Sequence, residues 1–162
     1  MNGNQPIDGL SLRDATHGDL SVVKELYGQL APDISNLDRD FPTIVSDAKA
    51  TCWLLEQEST AVGMVIFSVR STLSSGRKMV IEELVVDRHH RGRGLGSRLV
   101  QSCLDVARAQ ELDCVEVACP VSKPELHRFY EQAGFAHRMR YYSIIYYSEA
   151  PVDGQTASFR GV

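Results

Sequence analysis

The chain has 162 residues, 43% of them hydrophobic, and a formal net charge of −4. That length suits a single domain with a substantial core, and the acidic balance leaves no global footprint for nucleic acid. The four cysteines, Cys52, Cys103, Cys114 and Cys119, contain no C-x-x-C pair, so neither a metal site nor a dithiol redox motif is expected.

Residues 1–9 are polar, with no basic stretch leading into an apolar one, so no secretory signal is read there. No apolar run approaches the roughly 20 residues of a membrane span. A soluble, cytoplasmic protein is the expectation. Leu10, Leu12 and Ala15 nearly alternate and predict a first strand. Thr16 then serves as an N-cap, with Asp19 in the first turn of a helix whose apolar face is Leu20, Val23, Tyr27 and Leu30. Pro32 ends it. A second helix is expected over residues 37–50, interrupted near Pro42. Residues 51–56 and 62–69 read as a hairpin about a polar turn, and residues 79–86 as a long strand after the turn at 74–77.

A glycine-rich loop follows directly. Leu95, Leu99, Val100, Cys103, Leu104 and Ala107 then mark an amphipathic helix. Val115 and Val117 mark a short strand. Pro124 opens a helix with Leu126, Phe129, Tyr130 and Ala133 on one face, and Gly134 closes it. Residues 135–139 and 141–147 read as closing strands. Residues 10–148 form the expected domain, with 1–9 an extension and 149–162 a tail without periodicity. The element order predicts an α/β arrangement, one mixed sheet with helices on both faces.

Arg91-Gly92-Arg93-Gly94-Leu95-Gly96 lies between strand and helix. Alternating glycines let backbone approach a ligand, and the helix behind offers unpaired N–H groups and its positive dipole end. Such a place binds phosphate. Arg88, Arg91, Arg93 and Arg98 make it locally positive in an acidic chain, which points to a small anion rather than a polyanion. A dinucleotide G-x-G-x-x-G is not met, since position 97 is Ser, and no G-x-x-x-x-G-K-[ST] is present.

This loop resembles the Arg/Gln-x-x-Gly-x-Gly/Ala pattern of the GNAT acetyltransferases. Leu84-Val85-Val86 resembles that family's fourth strand, and Phe129-Tyr130-Glu131-Gln132-Ala133-Gly134-Phe135 its FYxxxGF segment. The resemblance implies a mainly antiparallel sheet of six to seven strands flanked by about four helices. It implies acetyl-CoA as cosubstrate, with pyrophosphate on Arg91, Gly92, Arg93, Gly94, Leu95, Gly96 and Ser97, and pantetheine along Leu84, Val85 and Val86. It also implies a small-molecule primary amine as acceptor and a homodimer, here through the apolar segment 141–147. One position departs: where many members carry Asn, this chain has Lys123, and that Asn's role is not carried over.

Direct acetyl transfer needs a neutral amine, a stabilised oxyanion and a leaving thiolate. An amine of pKa ~10.4 is neutral at pH 7 at a cost of about 4.6 kcal/mol. Glu82 or Glu83 can take its proton. Strand alternation puts them on opposite faces, so one is expected in the site, with Glu82 preferred. Tyr130 is the candidate to assist the thiolate. The oxyanion is expected against a backbone N–H of the fourth strand. Asp33, Asp38, Asp40 and Asp47 read as a solvated face that could also attract a cationic amine. His89, His90 and His127 have no neighbouring ligands in sequence. The alternative is a non-catalytic acyl-CoA sensor or partner-binding domain on the same scaffold.

Overall fold

Apolar alternation through residues 50–86 forms three consecutive antiparallel strands, and the rest of the fold is laid on them. A computed structural model describes residues 9–31 and 36–138. The elements are β1 (Leu10–Asp14), a 3-10 turn (His17–Asp19), α1 (Leu20–Gly28), α2 (Leu37–Ser46), β2 (Ala50–Gln57), β3 (Thr60–Thr72) and β4 (Gly76–Val86). They continue with a 3-10 turn (Arg88–His90), α3 (Leu95–Ala109), β5 (Cys114–Val117) and α4 (Pro124–Gln132). The sheet order is β1-β2-β3-β4-β5. Every pairing is antiparallel except β4 with β5.

Successive side chains of the central strands leave on opposite faces, so the sheet is buried twice. Leu55, Val65, Phe67, Met79 and Ile81 pack against Leu95, Leu99 and Cys103 of α3. Cys52, Leu54, Met64, Ile66 and Val85 pack against Val23 and Leu26 of α1 and Phe41 of α2. This is the two-faced α/β arrangement the element order predicts. The buried thiols of Cys52 and Cys103 are both pushed up to about 12 by burial, which suits core residues rather than nucleophiles.

Three expectations change. The described residues form five strands rather than six to seven: residues 135–138 form no strand, and residues 141–147 lie outside the described residues. The second helix ends at Ser46 and is not broken at Pro42. It stops there because Asp47 turns back to accept from the Lys49 amide (2.9 Å) and Ala50 is already paired with Ser68. The first helix ends at Gly28, short of Pro32.

The N-terminal corner is fixed by charge. Asp19, 9% exposed, accepts from Thr16 N (2.7 Å) and Thr16 Oγ1 (2.9 Å). The Arg13 guanidinium grips the same carboxylate with two bonds of 2.8 and 2.9 Å and reaches Glu56 at 2.8 Å. Arg13 holds the Asp19 carboxyl well below the usual carboxylate range. A depressed carboxyl contributes stability above its unfolded pKa and loses it as pH falls. Asp19→Asn is therefore expected to cost about 1–2 kcal/mol at pH 7, solvent around Arg13 limiting the figure. In urea titrations the gap to wild type should narrow below about pH 4. A gap that did not change between pH 7 and pH 2.5 would refute the assignment.

Candidate active site

The register of β4 decides where each of the two carboxylates points. Ile66 stands opposite Glu83 and Phe67 opposite Ile81, so Glu82 has no partner and forms a β-bulge. Alternation changes phase there. Met79 and Ile81 face α3 before the bulge, and Leu84 and Val86 face it afterwards, whereas Val85 joins the opposite core. Glu82 and Glu83 consequently share the α1/α2 face instead of dividing between faces. The Glu82 carboxylate accepts from Ser68 Oγ (2.8 Å) and is exposed. Glu83 is half-buried and accepts from Tyr27 Oη (2.9 Å).

Glu83 lines a cleft of about 180 Å³ between the sheet and the two helices. Met64 and Ile66 of β3 form its floor, and Val23 and Tyr27 of α1 one wall. Leu37, Asp40, Phe41 and Ile44 of α2 form the other. Burial raises the Glu83 carboxyl; the Tyr27 hydrogen bond opposes that, and the neighbouring Glu82 charge adds to it. Burial, and after it the same carboxylate, push the Tyr27 phenol up to about 12, so Tyr27 remains a donor. Neither Tyr27 nor Asp40 stands out in the sequence: Tyr27 reads as one apolar position of a helix, Asp40 as one of four acids on a solvated face. In the fold Asp38 accepts from Lys24 (2.6 Å), and Asp33 lies outside the described residues. A larger, open hollow of about 520 Å³ at His17, Pro42, Thr43, Ser46 and Asp47 is lined by none of Glu82, Glu83 and Tyr130.

The ladder between β4 and β5 covers only Lys78–Ile81 and Cys114–Val117. From the bulge onward, residues 82–86 have no strand neighbour on that edge among the described residues, so their backbone groups there lack a ladder partner within the described sheet. The Leu84 and Val86 side chains pack on the α3-side core and Val85 on the other, so only backbone is available to a ligand. Arg91 Nε donates to the Val86 carbonyl (3.0 Å) and ties the loop to this strand end.

Gly92 and Gly94 have φ of 75° and 76°, and a Cβ built on either meets no atom within 4 Å. Their surroundings are open, as a cradle requires. Gly94 is the N-cap of α3. Leu95, 2% exposed, anchors the helix start in the core. Arg93 and Ser97 are exposed beside it. Gly96 has a different part: an added Cβ would lie 3.4 Å from Phe129 Cζ and 3.7 Å from Val86 Cγ2, so it lets α4 close on α3.

That contact brings Tyr130 to the same region. Its ring meets Phe129 and Phe135 edge-on, with centroids 4.9 and 5.6 Å away. Its phenol is pushed up to about 12, chiefly by burial, then by Cys119, Cys103 and the Glu83 carboxylate. His127 Nε2 lies 2.9 Å from the Pro120 carbonyl and pins the β5–α4 connection. Lys123 caps α4 through its carbonyl, which accepts from Leu126 N (3.0 Å).

Residues 20–135 match the family model of the Acetyltransferase (GNAT) family. The chain belongs to the GNAT acetyltransferases. Among curated relatives it is similar to glucosamine 6-phosphate N-acetyltransferase of Arabidopsis thaliana, with 31% identity over 134 residues covering 80% of this chain and 88% of the relative. Glucosamine 6-phosphate N-acetyltransferase 1 of Oryza sativa subsp. japonica is 29% identical over 139 residues, covering 80% of this chain and 79% of the relative. Among solved structures, an aminoglycoside N-acetyltransferase AAC(6')-Iy in complex with CoA matches with a TM-score of 0.73 at 16% identity, covering 87% of this chain and 95% of that one. A transcriptional regulator from Bacillus halodurans C-125 matches with a TM-score of 0.75 at 24% identity, covering 85% and 99%. These structural likenesses establish the fold. Family and curated relatives together identify an acyltransferase enzyme that acetylates a small-molecule amine, and a non-catalytic sensor is not favoured. GNAT acetyltransferases use acetyl-CoA.

Proposed function

We propose that this enzyme binds acetyl-CoA in the opening between β4 and β5, and the amine in the cleft beside Glu83. The observation that carries this reading is the Glu83 carboxylate lining a largely apolar cleft, on a stretch of β4 that has no strand neighbour on its β5 side among the described residues. The pyrophosphate would rest on the N–H groups at Gly92, Gly94 and the start of α3, with Arg91, Arg93 and Ser97 around it. Pantetheine would run along the free edge at Leu84, Val85 and Val86.

Glu83, directly or through a water, takes the ammonium proton. The freed nitrogen forms a bond to the thioester carbonyl carbon, and the oxyanion is held by a backbone N–H of β4. As the C–S bond breaks, Tyr130 donates a hydrogen bond to sulfur. With its phenol near 12, full proton transfer to a thiolate of pKa ~8.5 would cost about 5 kcal/mol, so stabilisation without transfer is the effective role. Glu82 lies one step outside, on Ser68. A cytoplasmic setting and a homodimer through residues 141–147 belong to the same proposal.

The test is CoA release from acetyl-CoA across a panel of amines, with Gly94→Val alongside. Valine there faces the open cradle and strains a left-handed backbone by about 1–2 kcal/mol. CoA affinity is expected to fall by at least about tenfold while circular dichroism stays native. Unchanged CoA affinity in a folded Gly94→Val protein would remove the loop from the site.

A further inference from the structure

We infer that the cleft beside Glu83 selects a small amine with an apolar body, whose only charge is the ammonium group, and discriminates against phosphorylated amines. This rests on the acetyl-transfer reading above and narrows its acceptor. Among the described residues that line the cleft, the charged ones are Asp40 and Glu83, both acidic, and the rest are apolar except Tyr27. Glu82 adds a third carboxylate to the same face, beyond Glu83.

Among the described residues, the lysines at Lys24 and Lys78 are already paired. Lys24 Nζ is on Asp38 (2.6 Å), and Lys78 Nζ is on Glu116 (2.7 Å). Arg39 lies outside the lining and is held on Asp40 by two bonds, of 2.7 and 3.1 Å. A phosphate monoester brings a charge of about −1.5 to −2 at pH 7. Placed here it would meet carboxylates and lose water without gaining a cationic partner. An ammonium group meets the opposite situation, with Glu83 as its acceptor; Asp40 is already paired with Arg39. Sugar hydroxyls fare poorly for a second reason: the walls are Val23, Leu37, Phe41, Ile44, Met64 and Ile66, and the Tyr27 hydroxyl is already spent on Glu83. At about 180 Å³ the cleft falls below the usual range for drug-sized ligands, so the acceptor is small.

The experiment is kcat/KM for 2-phenylethylamine, isoamylamine, glucosamine and glucosamine 6-phosphate with the full chain at saturating acetyl-CoA. At least one of the two apolar amines should exceed glucosamine 6-phosphate by about tenfold or more. Ile44→Lys, which places a cation on the cleft wall, should narrow that ratio at least about tenfold. Preference for glucosamine 6-phosphate in the wild-type protein would overturn this inference and leave acetyl transfer standing. No CoA release with any of the four would overturn this inference, and no release across the wider amine panel would overturn the acetyl-transfer reading as well.

Discussion

Glu83→Gln should lower kcat for amine acetylation by about 10²- to 10³-fold, within the range for loss of a general base. The amide keeps the side chain's shape and can still accept from Tyr27 Oη, so the loss falls on the proton rather than on the fold. Removing a half-buried charge should not lower Tm, since burial is what raises this carboxyl. The pH profile adds a readout that a packing role would not move. The base works ionised, so the lower limb of kcat/KM falls away as pH drops through the Glu83 pKa, and that pKa stands above the ordinary carboxylate value. Tyr27 stabilises the anion; Tyr27→Phe should therefore shift the limb to higher pH. Glu82→Gln removes a like charge and should shift it to lower pH, with kcat reduced far less than in Glu83→Gln. If Glu83→Gln stayed within about twofold of wild type, the proton would have to leave by another route.

Tyr130→Phe should lower kcat by roughly 10²-fold with little change in KM for acetyl-CoA. The hydroxyl has no hydrogen-bond partner among the described residues, so the fold does not depend on it. The ring makes the edge contacts with Phe129 and Phe135, and phenylalanine retains them. A group needed only as sulfur leaves acts on the transition state, which affects kcat and kcat/KM together. Equal kcat in both proteins, within about twofold, would return Tyr130 to the apolar face of α4 as a packing residue. The two variants test opposite ends of the reaction, nitrogen and sulfur, so their effects on the two pH limbs should differ.

The loop at residues 91–96 was legible because its signal is local. Alternating glycines between a strand and an amphipathic helix specify positive φ and a helix N-terminus whatever surrounds them, and Gly92 and Gly94 take that conformation. The burial of the sheet on both faces and the amphipathic α3 follow from patterns of the same kind, whereas the approach of α4 to the loop is a tertiary contact at Gly96 and Phe129. The choice between Glu82 and Glu83 is not of that kind. Strict alternation separates the two, but the bulge opposite Ile66 and Phe67 puts both on one face and turns Glu83 into the cleft. One trace of it exists in the sequence: Met79 and Ile81 are apolar on one phase, Leu84 and Val86 on the other, with two acids between. That trace is readable only once both pairs are known to face α3. The partnership of Glu83 with Tyr27, across 56 positions, and the arrival of Asp40 at the same cleft depend on how α1 and α2 pack on the sheet. Backbone propensity is written within a few residues; cross-strand register and helix docking are set by contacts between distant segments, so only the tertiary structure fixed which of the two carboxylates lines the cleft.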